Sequence, residues 1–225
     1  MLERHIAFVA TDDAGAEDPA FTRGRLRAGL TPGFGRRATV LGLLIGGVLR
    51  EVLEQCRDTV IYASAFGETR ALADFLDTFP HPSPTLFQTS VHPSAVQQVM
   101  IDRQLPIREY IPLAGGPCLA ARALVTALLV PADTVVFCGG EERGSWMSGY
   151  KMASDRGFAF ALALRKGRDA STRGHLGLAP IDEAEGRRSG AACEMPFPAW
   201  FDLLHSRKNY DGPVSAEWRL ELNWT

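Results

Sequence analysis

Over residues 108–142 the chain runs from a short apolar stretch through Leu113-Ala114-Gly115-Gly116-Pro117 into an apolar helical segment. It then enters Thr134-Val135-Val136-Phe137-Cys138-Gly139-Gly140. Strand, glycine turn, helix and strand in that order leave few folds open, because a helix between two strands is the unit from which α/β sheets are built. Pro117 suits the first turn of the helix, where its missing N–H is not needed. The alternation extends to either side. Thr59-Val60-Ile61-Tyr62-Ala63 reads as a buried strand, 6–10 and 158–164 as further strands, and 69–78 and 94–102 as helices. Val40, Leu43, Leu44, Val48, Leu49 and Leu53 recur near a 3.6-residue period, so a helix is expected over 39–56. Residues 11–35 are rich in Asp, Gly and Pro and read as loop, and Pro80, Pro82 and Pro84 as an extended linker. The class is α/β with a mixed or parallel sheet.

Composition narrows the function. A chain of 225 residues that is 46% hydrophobic and 22% charged can bury a core of its own. A net charge of -2 argues against a general nucleic-acid binder. Cys56, Cys118, Cys138 and Cys193 are too far apart for a metal-ligand pattern, so no metal and no cofactor are expected. No secretory signal is visible. The longest apolar run, 40–49, is too short to span a bilayer, so a cytoplasmic protein is expected. Residues 166–195 are polar and glycine-rich, loosest at Arg187-Arg188-Ser189-Gly190, and read as a flexible loop. A helix (198–204) and a half-buried strand (214–223) follow. The expected organisation is 1–165 as one unit, 166–195 as the loop, and 196–225 as a tail packing back on the same domain.

The segments Pro84-Thr85-Leu86-Phe87, Ser90-Val91-His92-Pro93, Ala114-Gly115-Gly116 and Thr134 to Glu142, in this order, resemble the N-terminal half of a β-ketoacyl synthase of the thiolase-like superfamily. They are most similar to the short "chain-length factor" proteins of aryl-polyene and xanthomonadin-type pigment clusters. The resemblance covers residues 36–165, and 195–222 weakly. It implies a thiolase-like half-fold, a single domain of mixed sheet with helices. In a working synthase the turn entering the helix carries a cysteine that holds the acyl chain. Counting back from Asp133 puts that position at Gly115, which has no thiol.

Two residues stand near enough to be catalytic candidates. Cys118 is either a displaced nucleophile at a helix start or a small packed residue. His92 is either a base or a histidine fixing a loop beside an interface. Cys138 reads as a packed strand residue. Glu141-Glu142 after a strand could suggest a metal site or an acid–base pair, but an exposed loop is the simpler account. The resemblance also implies dimers, with Pro84, Phe87, Ser90, Val91, His92 and Ile111 at the interface. A half-length copy would leave apolar sheet surface for a partner, or in part for the tail, to cover.

The expected function is a non-catalytic subunit of a polyketide or fatty-acid-type pigment pathway that stabilises a partner synthase or shapes acyl-chain length. The expected partner is a second copy or a full-length ketosynthase, with acyl carrier protein a further possibility. The alternatives are an active acyltransferase using Cys118 with His92, and an acyl or acyl-carrier-protein binding module.

Overall fold

Side chains alternate between the two faces of a strand, and here both faces are apolar. The computed structural model describes residues 1–28, 30–56, 58–91, 94–181 and 194–225. One sheet holds eight strands, in spatial order β3 (Glu109–Ala114), β2 (Thr59–Ser64), β4 (Thr134–Glu141), β5 (Gly157–Arg165), β1 (Leu2–Gly15), β6 (Gly174–Pro180), β8 (Trp218–Trp224) and β7 (Tyr210–Pro213). β2 lies parallel to β3 and β4. Every other pairing is antiparallel. The sheet is mixed and the class α/β, as the strand–helix alternation implies.

On β5, Phe158, Phe160, Leu162 and Leu164 point to one face, and Ala159, Ala161 and Ala163 to the other. The small face receives α3 (Val40–Gln55), with α6 (Ser94–Arg103), α1 (Pro19–Arg27) and α2 (Pro32–Arg37) outside it. The large face receives α7 (Leu119–Leu129) and α8 (Phe197–Ser206). α8 buries Phe197, Trp200, Phe201 and Leu204. The Trp200 ring stacks on Phe137 at 6.1 Å, and Phe201 lies 4.6 Å from Phe158. A Cβ on Gly139 would clash with the backbone oxygen Ala63 O of β2 and would meet Phe197 Cζ at 2.9 Å, so glycine here serves both the sheet and the close seating of α8. The sheet surface that a missing second half was expected to leave bare is therefore covered by the chain's own tail.

Three expectations change. Residues 11–35 are not mostly loop, because they contain the end of β1 and the helices α1 and α2. Asp18 Oδ1 accepts from Ala20 N at 2.8 Å, Thr31 Oγ1 accepts from Phe34 N at 3.3 Å, and Pro19 and Pro32 open the two helices. The proline run is likewise not all linker: Ser83 caps α5 (Pro84–Ser90), with Pro84 in its first turn. In each case a capping side chain followed by proline starts a helix instead of breaking one. Residues 166–195, read as loop, hold β6, which pairs with both β1 and β8. Arg187, Arg188, Ser189, Gly190 and Cys193 lie outside the described residues, as does His92. Among the described residues no helix is long and apolar enough to cross a membrane.

Candidate functional site

In the parallel part of an α/β sheet, the loops at the carboxyl ends of the strands are where sites are built. Here those loops follow β2 (Ser64 to Gly67), β3 (Gly115 to Cys118) and β4 (Glu142 onward). Gly115 N donates to Ser64 O at 3.2 Å, carrying the β2–β3 pairing one residue past the strand. The chain then turns with φ of 58° at Gly115 and 88° at Gly116, a region that side-chain-bearing residues seldom occupy. α7 begins at Leu119, with Leu119, Ala120, Ala123 and Leu124 buried. A Cβ on Gly115 would have only Ala65 O nearby, at 3.7 Å. Gly115 therefore sits in a tight turn against the β2 loop.

Cys118 is the N-cap residue of α7 and half-buried, but its side chain makes no capping bond. Its Sγ donates to Glu194 Oε1 at 2.7 Å. That hydrogen bond, with partial burial and the negative charge of Glu194, pushes the thiol up from its usual range. A nucleophilic cysteine needs the opposite, a neighbour that favours the thiolate. Cys138 is wholly buried, its Sγ 3.5 Å from Ile61 O, and burial pushes its thiol up strongly. Cys138 is the packed strand residue its position suggested.

The sequence reading missed the groups that hold the site together. Glu141 and Glu142 are not on an exposed loop: both are buried. Glu141 accepts from Ala65 N at 2.5 Å, Ser64 Oγ at 3.1 Å and Phe66 N at 3.2 Å, and so fixes the whole β2 loop. Glu142 accepts from Leu41 N at 3.2 Å and Arg70 N at 2.8 Å, and so joins the first turns of α3 and α4 (Thr69–Leu76). Both carboxyls are pushed up to about 8. Burial is the largest cause in each, and for Glu142 the neighbouring buried Glu68 adds to it. Two acids directly after a buried strand and a Gly-Gly pair, facing a turn full of free amides, were the available signal. Among the described residues no group of His, Cys, Asp and Glu is arranged to hold a metal ion.

The interface residues fall in two places. Pro84, Phe87 and Ser90 are on α5, which rests on α4 with the Phe87 ring 5.4 Å from Phe75, and Val91 follows it. Ile111 is on β3, the end strand of the sheet, and is half-buried.

The arrangement has counterparts among solved structures. Over 98% of this chain and all of the other, it superposes with a TM-score of 0.71 on a chain from the structure of the ketosynthase ApeO in complex with its chain length factor ApeC from Xenorhabdus doucetiae. Sequence identity is 19%. This is the thiolase-like synthase fold. Germicidin synthase from Streptomyces coelicolor, a type III polyketide synthase, matches at 0.48 with 8% identity over the whole of both chains. PksG, an HMG-CoA synthase from Bacillus subtilis, matches at 0.45 with 10% identity, over 93% of this chain and 55% of its own. No family model and no curated protein sequence matches the chain.

Proposed function

We propose that this protein is a non-catalytic, ketosynthase-like subunit of the chain-length-factor type. It pairs with a full-length ketosynthase in a polyketide or fatty-acid-type pathway, such as one making an aryl-polyene pigment. Its role is to stabilise the catalytic partner and shape the length of the acyl chain. The observation that carries the reading is the turn between β3 and α7. In this fold a synthase places its nucleophile where a strand turns into a helix, and here Gly115 and Gly116 take that turn with positive φ and no side chain. The thiol next along the chain, Cys118, donates to a carboxylate that opposes its ionisation. The likeness to a chain from a complex of a ketosynthase with its chain length factor supports the same assignment.

The proposed contact surface is α5 with Val91 and His92, together with the open edge of β3. Self-association through the same surface, and docking of acyl carrier protein on the assembled pair, belong to this reading. Co-expression with the full-length synthase of the same pathway tests it. The synthase should co-purify at a fixed ratio, and the chain-length distribution of its products should change when this subunit is omitted. Recovery of this chain alone, with products unaltered by its presence, would refute the assignment.

A further inference from the structure

A cleft of about 1070 Å³ opens between the first turns of α3 and α4 and the flanks of α5 and α6. That volume is at the upper end of small-molecule pockets. Two half-buried arginines line it, Arg23 from α1 and Arg70 from α4. Among the described residues neither is in an ion pair. Arg23 Nη1 donates to Ala38 O at 2.9 Å, and Arg70 Nη1 reaches Gly144 O at 3.4 Å. Most of the donor capacity of both forks is unused in these bonds. Burial disfavours the charge of Arg23, and the nearby Arg27 and Arg70 add to the effect.

The acids of the cleft balance this charge only in part: Glu142 and Asp74 both favour the charged form of Arg23, yet neither forms an ion pair with it. Glu142 is wholly buried, and burial pushes its carboxyl up to about 8, which weakens its charge near neutral pH. Asp102 accepts from Thr31 Oγ1 at 2.6 Å, and Asp74 stands on the exposed lining without an ion pair to either arginine. The flank from α5 and α6 is largely polar, with Thr85, Gln88, Thr89, Gln97 and Gln98, but it carries two apolar side chains. Leu86 from α5 and Ile101 from α6 face the cleft, and Ile101 is 76% exposed.

We propose that this cleft binds an amphipathic anion: a carboxylate or phosphate head held by Arg23 and Arg70, on an aliphatic body lying along Leu86 and Ile101. Guanidinium forks suit both heads, since each presents paired oxygens to parallel N–H donors. The site is separate from the glycine turn, and the inference stands whether or not the chain pairs with a synthase.

Calorimetric titration of the full chain with octanoate, octyl phosphate, octanol and inorganic phosphate tests it, each ligand kept below micelle-forming concentration. One of the two charged octyl ligands should saturate a single site, and the tighter of them identifies the head. Octanol and inorganic phosphate should each bind at least about tenfold more weakly, and Arg23→Gln and Arg70→Gln should each lose about tenfold for the charged ligand. Ile101→Asp alters an exposed position and should keep the fold while weakening the charged octyl ligand. Added salt should weaken the unmutated protein's binding, which needs no variant to read. Octanol binding as tightly as octanoate, or affinity unchanged in both arginine variants, would overturn the anionic head. Inorganic phosphate matching octyl phosphate would overturn the apolar body.

Discussion

At the scale of single residues, the balance between burial and hydrogen bonding decides what Glu141 is. Three donors point at its carboxyl and favour the ionised form, yet loss of water outweighs them and the group titrates near 8. Glu142 behaves alike. Both values are above that of an exposed glutamate, so the folded chain binds more protons than the unfolded one. The stability this contributes is complete below about pH 4.5 and is lost as pH rises towards about 8. Melting temperature should therefore fall between pH 5 and 8. Glu142→Gln should flatten that slope, costing about 1–3 kcal/mol near pH 5, because an amide leaves one backbone N–H without its acceptor, and progressively less as pH rises towards 8. A slope unchanged in Glu141→Gln and in Glu142→Gln would mean that other groups set it.

The same reasoning applies to Cys118. With Glu194 as its hydrogen-bond partner the thiol should react slowly with iodoacetamide at pH 7.5, and Glu194→Gln should speed it several-fold by removing the charge that opposes the thiolate. Incubation with an acyl-carrier thioester followed by intact-mass measurement should show no adduct on Cys118. An adduct that vanishes in Cys118→Ala would restore the acyltransferase reading.

At the scale of elements, α8 is the piece on which the fold of so short a chain depends. It occupies the face of the sheet that would otherwise need a second layer, and Trp200 is its centre. Trp200→Ala should cost about 3–5 kcal/mol in denaturant unfolding, since a large cavity opens against Phe137 and Phe160. Trp200→Phe should cost much less, because the indole N–H is buried without a hydrogen-bond partner and its loss leaves no other group unsatisfied. Equal losses for the two would argue against this packing account.

The elements also divide by how they could be read. β2, β4, β5 and α3 were legible because every side chain in them answers to burial, which writes itself as unbroken apolar runs or a 3.6-residue period. β1 was seen over only five of its residues. Its length comes from pairing with β5 and β6 on its two sides, and its charged residues hid it: Arg4 is shielded by donating to Val130 O and Ala132 O across the sheet. Prolines misled where a capping side chain came first, as at Asp18, Thr31 and Ser83. The glycine turn of the site could be found because glycine is the residue such a turn demands. Glu141 and Glu142 stand out as two acids after a buried strand, but their burial could not be read, because their partners are backbone amides around positions 41, 65 and 70 that the local sequence does not mark.

At the scale of the whole molecule, the two ends of the sheet differ. β7 closes one end with four residues, while β3 presents six at the other, its outer edge paired with no strand among the described residues. Pro112 within β3 removes one donor and blunts that edge against indiscriminate pairing. Beyond the sheet, Phe87 and Val91 are 54% and 46% exposed at the end of α5. Bulky apolar groups this exposed cost little to the free chain but become anchors when a partner removes them from water. If they belong to the contact with a ketosynthase, the double substitution Phe87→Glu with Val91→Glu should abolish co-purification of the synthase. It should lower the melting temperature of the isolated chain only modestly, because both side chains are about half exposed, although Phe87 gives up its contact with Phe75. A variant that unfolds early would be uninformative about the contact, so Phe87→Ser and Val91→Ser provide the milder pair, for which weakened rather than abolished association is expected. Undiminished association in both pairs, with folding intact, would place the contact elsewhere and leave the β3 edge to be probed next through Pro112.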